Sequence, residues 1–401
     1  PDFYGDPYAL YSAVHARAAE RGGVPAFDWA DYGFWCFAGF DEVNALLRDR
    51  RFGRAPGLPE RTERNANWWL TERWSLLAID PPEHTQMRGL VNRAFLSRQV
   101  ERLRPRVAEL AGELLAAVAA NGVDGPVDLL HDYAAPLPAV VIAEMIGLPG
   151  TDARLLLDWS NRMVRMYMFA ATPDERAAIE ADADAAAVEF TTYLEAAIAE
   201  HRATPRDDLL THMLDAEIDG ARLSDQEVIA TTMLLLNAGH EATVHTTGNS
   251  VSLILRSGLD PATLLATSES AAATVEECLL FDAPLHLFTR YALEDVAVPL
   301  GQGEWLTVER GQQIGMLLAA ANRDPRRFAD PDRFDPARAD AGNVSFGSGI
   351  HFCIGAPLAR LELETSLAAV FARFPSLALA ADPRYRDIFH FHGLDQLLVT
   401  V

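Results

Sequence analysis

The chain has 401 residues, 49% of them hydrophobic, and its 34 basic and 57 acidic side chains leave a formal net charge of −23. So large an acidic excess excludes nucleic acid as the main partner. Three widely spaced cysteines, Cys36, Cys278 and Cys353, exclude a disulfide framework.

The length allows a sizeable core in one large domain or two medium ones. The opening PDFYGDPYALYSAVHARAAERGG holds no apolar run of a signal peptide. No stretch supplies the roughly 18–20 consecutive apolar residues of a membrane span. A cytoplasmic location is therefore expected, with no membrane partner. Every basic residue is an arginine. With no repeat and no low-complexity linker, residues 1–401 read as a single domain.

In chain order, GFWCFA (33–38) reads as a strand. Residues 100–120 and 175–201 carry apolar side chains at helical spacing. Ser224 with Glu227 three residues on forms a capping box at the head of SDQEVIATTMLLLNAGHEATVHTTGNSVSLILRS. That helix runs for roughly 30 residues, about 45 Å, and its apolar middle must cross an interior. Segments 287–292, 296–308 and 394–401 read as strands, and 357–374 as a helix. The expected class is mainly α with a small β region.

The long helix contains His240, Glu241 and His245. Zinc binding on a helix needs histidines four apart on one face. These are five apart, about 140° around the axis, so a zinc site is rejected. Gly239 in mid-helix costs about 1 kcal/mol relative to alanine, which asks for a packing or functional reason.

FGSGIHFCIGAPLAR (346–360) places Cys353 at the mouth of the last helix. A thiolate there is favoured by free N–H groups and the helix dipole. Gly347, Gly349 and Gly355 permit backbone conformations and close approaches that a side chain would block. A flat ligand lying on this turn with its metal over the sulfur suits haem iron. An isolated cysteine is more often a small buried hydrophobe, and only the full pattern argues otherwise.

That pattern, F-G-x-G-x-H-x-C-x-G-x-x-L-A-R, is matched at every fixed position from Phe346 to Arg360 and resembles the haem-binding signature of the cytochrome P450 family. DPPEHTQMRGLVNRAF (80–95), NAGHEAT (237–243) and ANRDPRRFADPDRFDP (321–336) resemble further segments of that family. The resemblance spans the chain and implies the cytochrome P450 fold, haem b, and Cys353 as the iron ligand. It also implies that His84, Arg88, Arg290 and His351 bind the haem propionates, a pairing that suits carboxylates. Phe346 matches the aromatic residue near the sulfur, and Gly355 the residue that allows close haem approach. Gly239 matches the place where the helix makes room for oxygen, and Glu241 the acid of proton delivery.

Two positions depart from the family. Ala242 stands where threonine is usual, and Thr243 points about 100° away around the helix. A water chain or a substrate hydroxyl is left to carry protons. Glu277 is followed three residues on by Leu280 rather than arginine, which leaves Arg333 as the expected partner of Glu277.

The resemblance places 59–79, 160–170, the middle of the long helix and 284–288 over the reacting face. Trp68, Trp69, Trp74, Met163, Met166, Met168, Leu285 and Phe288 are the candidate pocket residues. They imply a largely apolar substrate of moderate size. Arginines in 61–73 and 162–165 are candidates to meet a polar or acidic group on it.

No flavin or iron–sulfur pattern is present, so a ferredoxin and its reductase are implied as electron donors. From Arg88 to Arg106 the chain carries six arginines and one acid, Glu101. This island is the expected docking surface for an acidic ferredoxin. The resulting reading is a haem-thiolate monooxygenase that uses O2 to hydroxylate or epoxidise an apolar small molecule in secondary metabolism. An oxidative coupling or peroxide-using enzyme, and a non-catalytic haem-binding sensor, are the alternatives.

Overall fold

The computed structural model describes residues 5–54, 57–92, 95–167, 170, 172–218, 220–338 and 342–401. The chain divides into two compact units. One comprises residues 1–53, 100–135 and 242–401, the other 54–99 and 136–241.

The first unit holds the sheets. Phe34–Phe37 and Gln313–Leu317 run parallel, with Ala26–Trp29 and Leu287–Ala292 outside them and Phe52–Gly53 at the edge. In this register Gly315 lies opposite Cys36, and a Cβ there would stand 2.7 Å from the Cys36 sulfur. The cysteine needs that glycine to fit. Phe37, Val43, Ile314, Met316 and Leu318 form the core beneath the sheet.

The stretch 296–308, expected as one strand, is a hairpin of Val296–Gly301 and Glu304–Val308. Gly301 and Gly303 (φ 93° and 83°) make the turn that alternation alone did not show. Ala26–Trp29 was not foreseen, and the final segment splits into Leu394–Gln396 and Leu398–Thr400.

Helix Ala356–Arg373 packs on Arg104–Asn121 and on Ser268–Phe281. The first two match segments read as helix from their apolar spacing, whereas Ser268–Phe281 was not foreseen. The buried Tyr133 hydroxyl donates to the Ser366 carbonyl at 3.0 Å.

The second unit is almost wholly helical. Pro173–Ala203 packs against Ala153–Val164 and Ala66–Glu72. Thr172 caps the long helix by accepting from the Glu175 N–H at 3.1 Å, and Pro173 follows at a position that needs no donor. Asp184, in the middle of that helix, accepts from the N–H groups of Asn67 and Trp68 at 2.6 and 3.0 Å. A carboxylate there satisfies two donors at a helix start and favours the dipole. This fixes the tryptophan-bearing helix in place.

Helix Asp225–Ser257 is continuous for 33 residues, and the boundary between the units falls within it, after Glu241. Its capping box is formed: Ser224 Oγ accepts from the Glu227 N–H at 3.3 Å, while Glu227 Oε2 accepts from the Ser224 N–H at 2.7 Å.

Candidate active site

In the first unit, Cys353 ends a loop tied down from several sides. The Cys353 N–H donates to the Phe346 carbonyl at 2.9 Å, closing the loop on itself. Gly347 and Gly349 both adopt left-handed backbone, at φ 69° and 72°. A Cβ at Gly349 would collide with the Leu47 carbonyl, and one at Gly347 would stand 3.1 Å from the Phe288 ring. Arg48 Nε donates to Ser348 Oγ at 2.8 Å, and Ser348 Oγ donates to Asn44 Oδ1 at 2.8 Å.

The other end of the loop is held by Asn322, whose Nδ2 donates to Ser345 Oγ at 2.7 Å and whose Oδ1 accepts from the Val344 N–H at 2.9 Å. Arg360 lies over the Phe346 ring at 4.5 Å and pairs with Glu276, its Nη2 to Oε2 at 3.2 Å. Sequence reading missed Glu276, Asn322 and Arg48. Arg360 closes the cysteine pattern and Asn322 lies in the family-like segment 321–336, and those were the signals that could have led to them.

The three cysteines differ. Burial pushes the thiols of Cys36 and Cys278 up to about 12, so both are neutral packing groups. Cys353 alone is partly exposed.

Arg290 sits on strand Leu287–Ala292, 4% exposed, with Nη1 donating to the Thr289 carbonyl at 2.8 Å. His351 lies in the turn Gly349–His351 just before the cysteine. A half-exposed thiol, a buried guanidinium and an imidazole in one unit form a donor set that fits haem, one iron with two carboxylates. Gly355 agrees with that fit: a Cβ there would stand 3.9 Å from the Cys353 sulfur, filling the ground beside it.

In the second unit, His84 is 2% exposed on helix Glu83–Val91, with Arg88 four residues on along the same face. Gly239 sits in unbroken helix, and its missing side chain makes room for Ile142, 3.2 Å from an ideal Cβ. Glu241 follows as the last residue of this unit's share of the helix.

Ala242 and Thr243 begin the first unit's share, and Thr243 is 7% exposed. The Thr246 hydroxyl donates to the Ala242 carbonyl at 2.7 Å, and that of Thr247 to the Thr243 carbonyl at 2.9 Å. The hydroxyl hydrogens one turn on are thus spent inside the helix.

Glu277 is fully buried and meets Arg338, not Arg333. Arg333 instead pairs with Asp335 at the surface. The expected partner was five residues short, because the chain turns back between them and only Arg338 reaches inward.

Of the pocket candidates, Trp68, Met163 and Met166 are buried in the second unit, at 0%, 1% and 7% exposure. Trp68 packs on Tyr167 with ring centres 5.6 Å apart. Trp69 and Trp74 are half-buried. Met168 lies outside the described residues. In the first unit Leu285 and Phe288 pack at the margin of the sheet core.

The arginine candidates sort by their partners. Arg64 pairs with Glu180 at 2.9 Å, Arg162 with Asp182 and Glu189 at 2.9 and 3.2 Å, and Arg165 with Asp182 at 3.6 Å. Arg61 and Arg73 lie over Trp69 instead, at 5.7 and 5.3 Å from the ring centre.

The arginine island is smaller than its sequence implies. Arg104 pairs with Glu101 and Glu364, and Arg106 with Glu109. Arg93 lies outside the described residues, and Arg98 and Arg102 are exposed.

Among the described residues, no helix is long and apolar enough to cross a membrane. Among them, too, no group of three or more His, Cys, Asp or Glu side chains could hold a metal ion. A single sulfur ligand to a porphyrin-held iron needs no such group.

The family described as Cytochrome P450 matches residues 71–257 and 269–391. Cytochrome P450 107B1 of Saccharopolyspora erythraea is 38% identical over 377 residues, 91% of this chain and 88% of that protein. Cytochrome P450 monooxygenase PikC of Streptomyces venezuelae is 36% identical over 390 residues, 95% of this chain and 87% of that protein. Among solved structures, P450BioI in complex with an acyl carrier protein ligated with hexadec-9Z-enoic acid superposes with a TM-score of 0.89. It is 31% identical, with all of both chains covered.

Proposed function

The chain belongs to the cytochrome P450 family, and from that premise we propose a haem-thiolate monooxygenase that hydroxylates or epoxidises a largely apolar small molecule of secondary metabolism. Residues 1–401 act as one functional domain in this reading, in the cytoplasm. A ferredoxin and its reductase supply electrons, and O2 is the oxidant.

The family's cofactor is haem b. When bound, it supplies the activation of dioxygen and the insertion of one oxygen atom into substrate. Cys353 would hold its iron, presented by a loop whose hydrogen bonds and glycines leave the sulfur little freedom. Arg290 and His351 would pair its propionates, a role that the family's pattern also gives to His84 and Arg88. Phe346, clamped under Arg360, would keep the sulfur's surroundings dry and so preserve its electron donation.

Glu241 would gather protons, and Ala242 leaves the next step of delivery to an ordered water or to a hydroxyl of the substrate. Of the candidate pocket residues, Trp68, Trp69, Trp74, Met163, Met166, Leu285 and Phe288 are the apolar side chains this reading assigns to substrate contact.

The observation that carries this reading is Cys353: the one partly exposed thiol, at the mouth of a helix, on a glycine-shaped and fully tied loop. The test is the reduced carbon-monoxide spectrum. The native protein should show the red-shifted band of thiolate ligation. Cys353→Ser should abolish it, while Cys36→Ser and Cys278→Ser keep it. Retention of the band in Cys353→Ser would overturn the assignment.

A further inference from the structure

The second unit carries a cavity of about 260 Å³ lined by Leu58, Pro59, Arg61, Trp69, Arg73 and Ala78, with Glu60 the only acid of its lining. Its walls are mostly apolar, and its two arginines differ from their neighbours. On a chain with 57 acidic residues to 34 basic ones, most nearby guanidinium groups have found carboxylates. Arg64, Arg162 and Arg165 are all paired to the acidic helix Pro173–Ala203 or its approach.

Arg61 and Arg73 have no carboxylate or carbonyl acceptor for their side chains among the described residues. Both instead stack on Trp69, and Arg73 also lies 4.8 Å from the Trp74 ring centre. Stacking occupies the flat face of a guanidinium and leaves its N–H edge directed outward. Both edges are thus available to donate to an added acceptor in the cavity the two residues line. An oxyanion is the acceptor that a guanidinium fork suits best.

We propose that this cavity is an oxyanion subsite that engages a carboxylate or phosphate group carried by an otherwise apolar ligand. Trp69, Leu58, Pro59 and Ala78 cover the first carbons of the apolar part, and Arg61 and Arg73 hold the charged end. Arg61 and Arg73 then determine specificity by charge, selecting an acidic ligand over its neutral analogue. The proposal rests on the monooxygenase reading for the identity of that ligand as a substrate. It does not rest on it for the binding itself.

The experiment is calorimetric titration of the haem-loaded protein, at low ionic strength, with decanoate, decan-1-ol and decyl phosphate. The three share one chain, so the apolar contribution cancels. Exposed charge-assisted contacts should favour decanoate over decanol by about fivefold or more. That ratio should fall as salt is raised. In Arg61→Gln/Arg73→Gln it should drop to near one with decanol affinity unchanged. Arg61→Lys/Arg73→Lys, which keeps the charge and loses the planar fork, should lie between.

Preference for decanoate alone supports a carboxylate as the natural group, and equal preference for decyl phosphate supports a phosphate as well. Equal binding of decanoate and decanol by the native protein, no binding of decanoate, or a preference that survives Arg61→Gln/Arg73→Gln would each overturn the proposal. None of these results touches the Cys353 absorbance band, so the two readings fail separately.

Discussion

Arg338 grips Glu277 with two donors, Nε to Oε2 at 2.9 Å and Nη2 to Oε1 at 3.1 Å, while the Asp335 N–H adds a third bond to Oε1 at 2.7 Å. The glutamate is buried and the arginine nearly so, at 1% and 9% side-chain exposure. Breaking such a pair from one side leaves a charge buried without its partner, which costs about 3–5 kcal/mol. Arg338→Ala should therefore destabilise strongly. Arg333→Ala, which removes a largely exposed pair, should cost less than about 1 kcal/mol. Leu280, fully buried on the same helix as Glu277, should not tolerate arginine, because Glu277 is already satisfied. Thermal melting of the three variants at full haem occupancy checks the order. A gain in Tm for Leu280→Arg would show that the Arg338 pairing is not the stabilising one.

Glu362 lies on the helix that follows Cys353, is 2% exposed, and burial alone pushes its carboxyl up to about 8. In the unfolded chain it titrates near 4.3. Between those values the unfolded chain releases a proton that the folded one retains, so stability falls as pH rises through this window and levels above it. Glu362→Gln removes that loss. Its advantage over the native protein should grow by up to about 4 kcal/mol from pH 5 to pH 8. Urea unfolding at both pH values measures it, and an advantage independent of pH would show that Glu362 does not titrate there.

Ala242 puts no hydroxyl where proton delivery would use one, and the Thr246 hydroxyl hydrogen is committed to the Ala242 carbonyl. If a substrate hydroxyl fills the role, the deoxy analogue should still consume reductant but yield mostly peroxide or water. Ala242→Thr should then partly restore product from the analogue. Product formed per reductant consumed, for both substrates and both proteins, decides the matter. Equal coupling of the two substrates in the native enzyme would leave the water route through Glu241.

In the proposed reading the basic island between Arg88 and Arg106 docks ferredoxin; Arg98 and Arg102 are among its exposed members, while Arg104 and Arg106 pair with Glu101, Glu364 and Glu109. Arg98→Glu/Arg102→Glu should slow reduction by ferredoxin severalfold at low salt, with the effect shrinking as salt screens it. Substrate binding should not change. Stopped-flow reduction across ionic strength is the measurement, and a rate unaltered at low salt would remove the island from electron transfer.

Local chemistry made much of this protein legible from its residues. The Ser224–Glu227 capping box and the apolar run after it located helix Asp225–Ser257 to within a residue at its start, because caps and helical periodicity are properties of neighbouring residues. The pattern from Phe346 to Arg360 singled out Cys353 for the same reason. The hairpin within 296–308 was not legible, since its turn depends on two glycines whose left-handed conformation alternation does not reveal.

Partner choice was beyond the sequence. Glu277 had two arginines within five residues of each other to choose from, and Arg338 was selected by the path of the backbone, which turns Arg333 toward Asp335. The acidic helix Pro173–Ala203 likewise takes up Arg64, Arg162 and Arg165 while Arg61 and Arg73 remain on Trp69. Sequence determined four of the longer helices, the cysteine loop and the family because those follow from residues a few positions apart. Tertiary structure decided which charges are neutralised and which remain to meet a ligand. Coulomb and hydrogen-bond energies depend on distances between residues that lie up to more than a hundred positions apart in the chain.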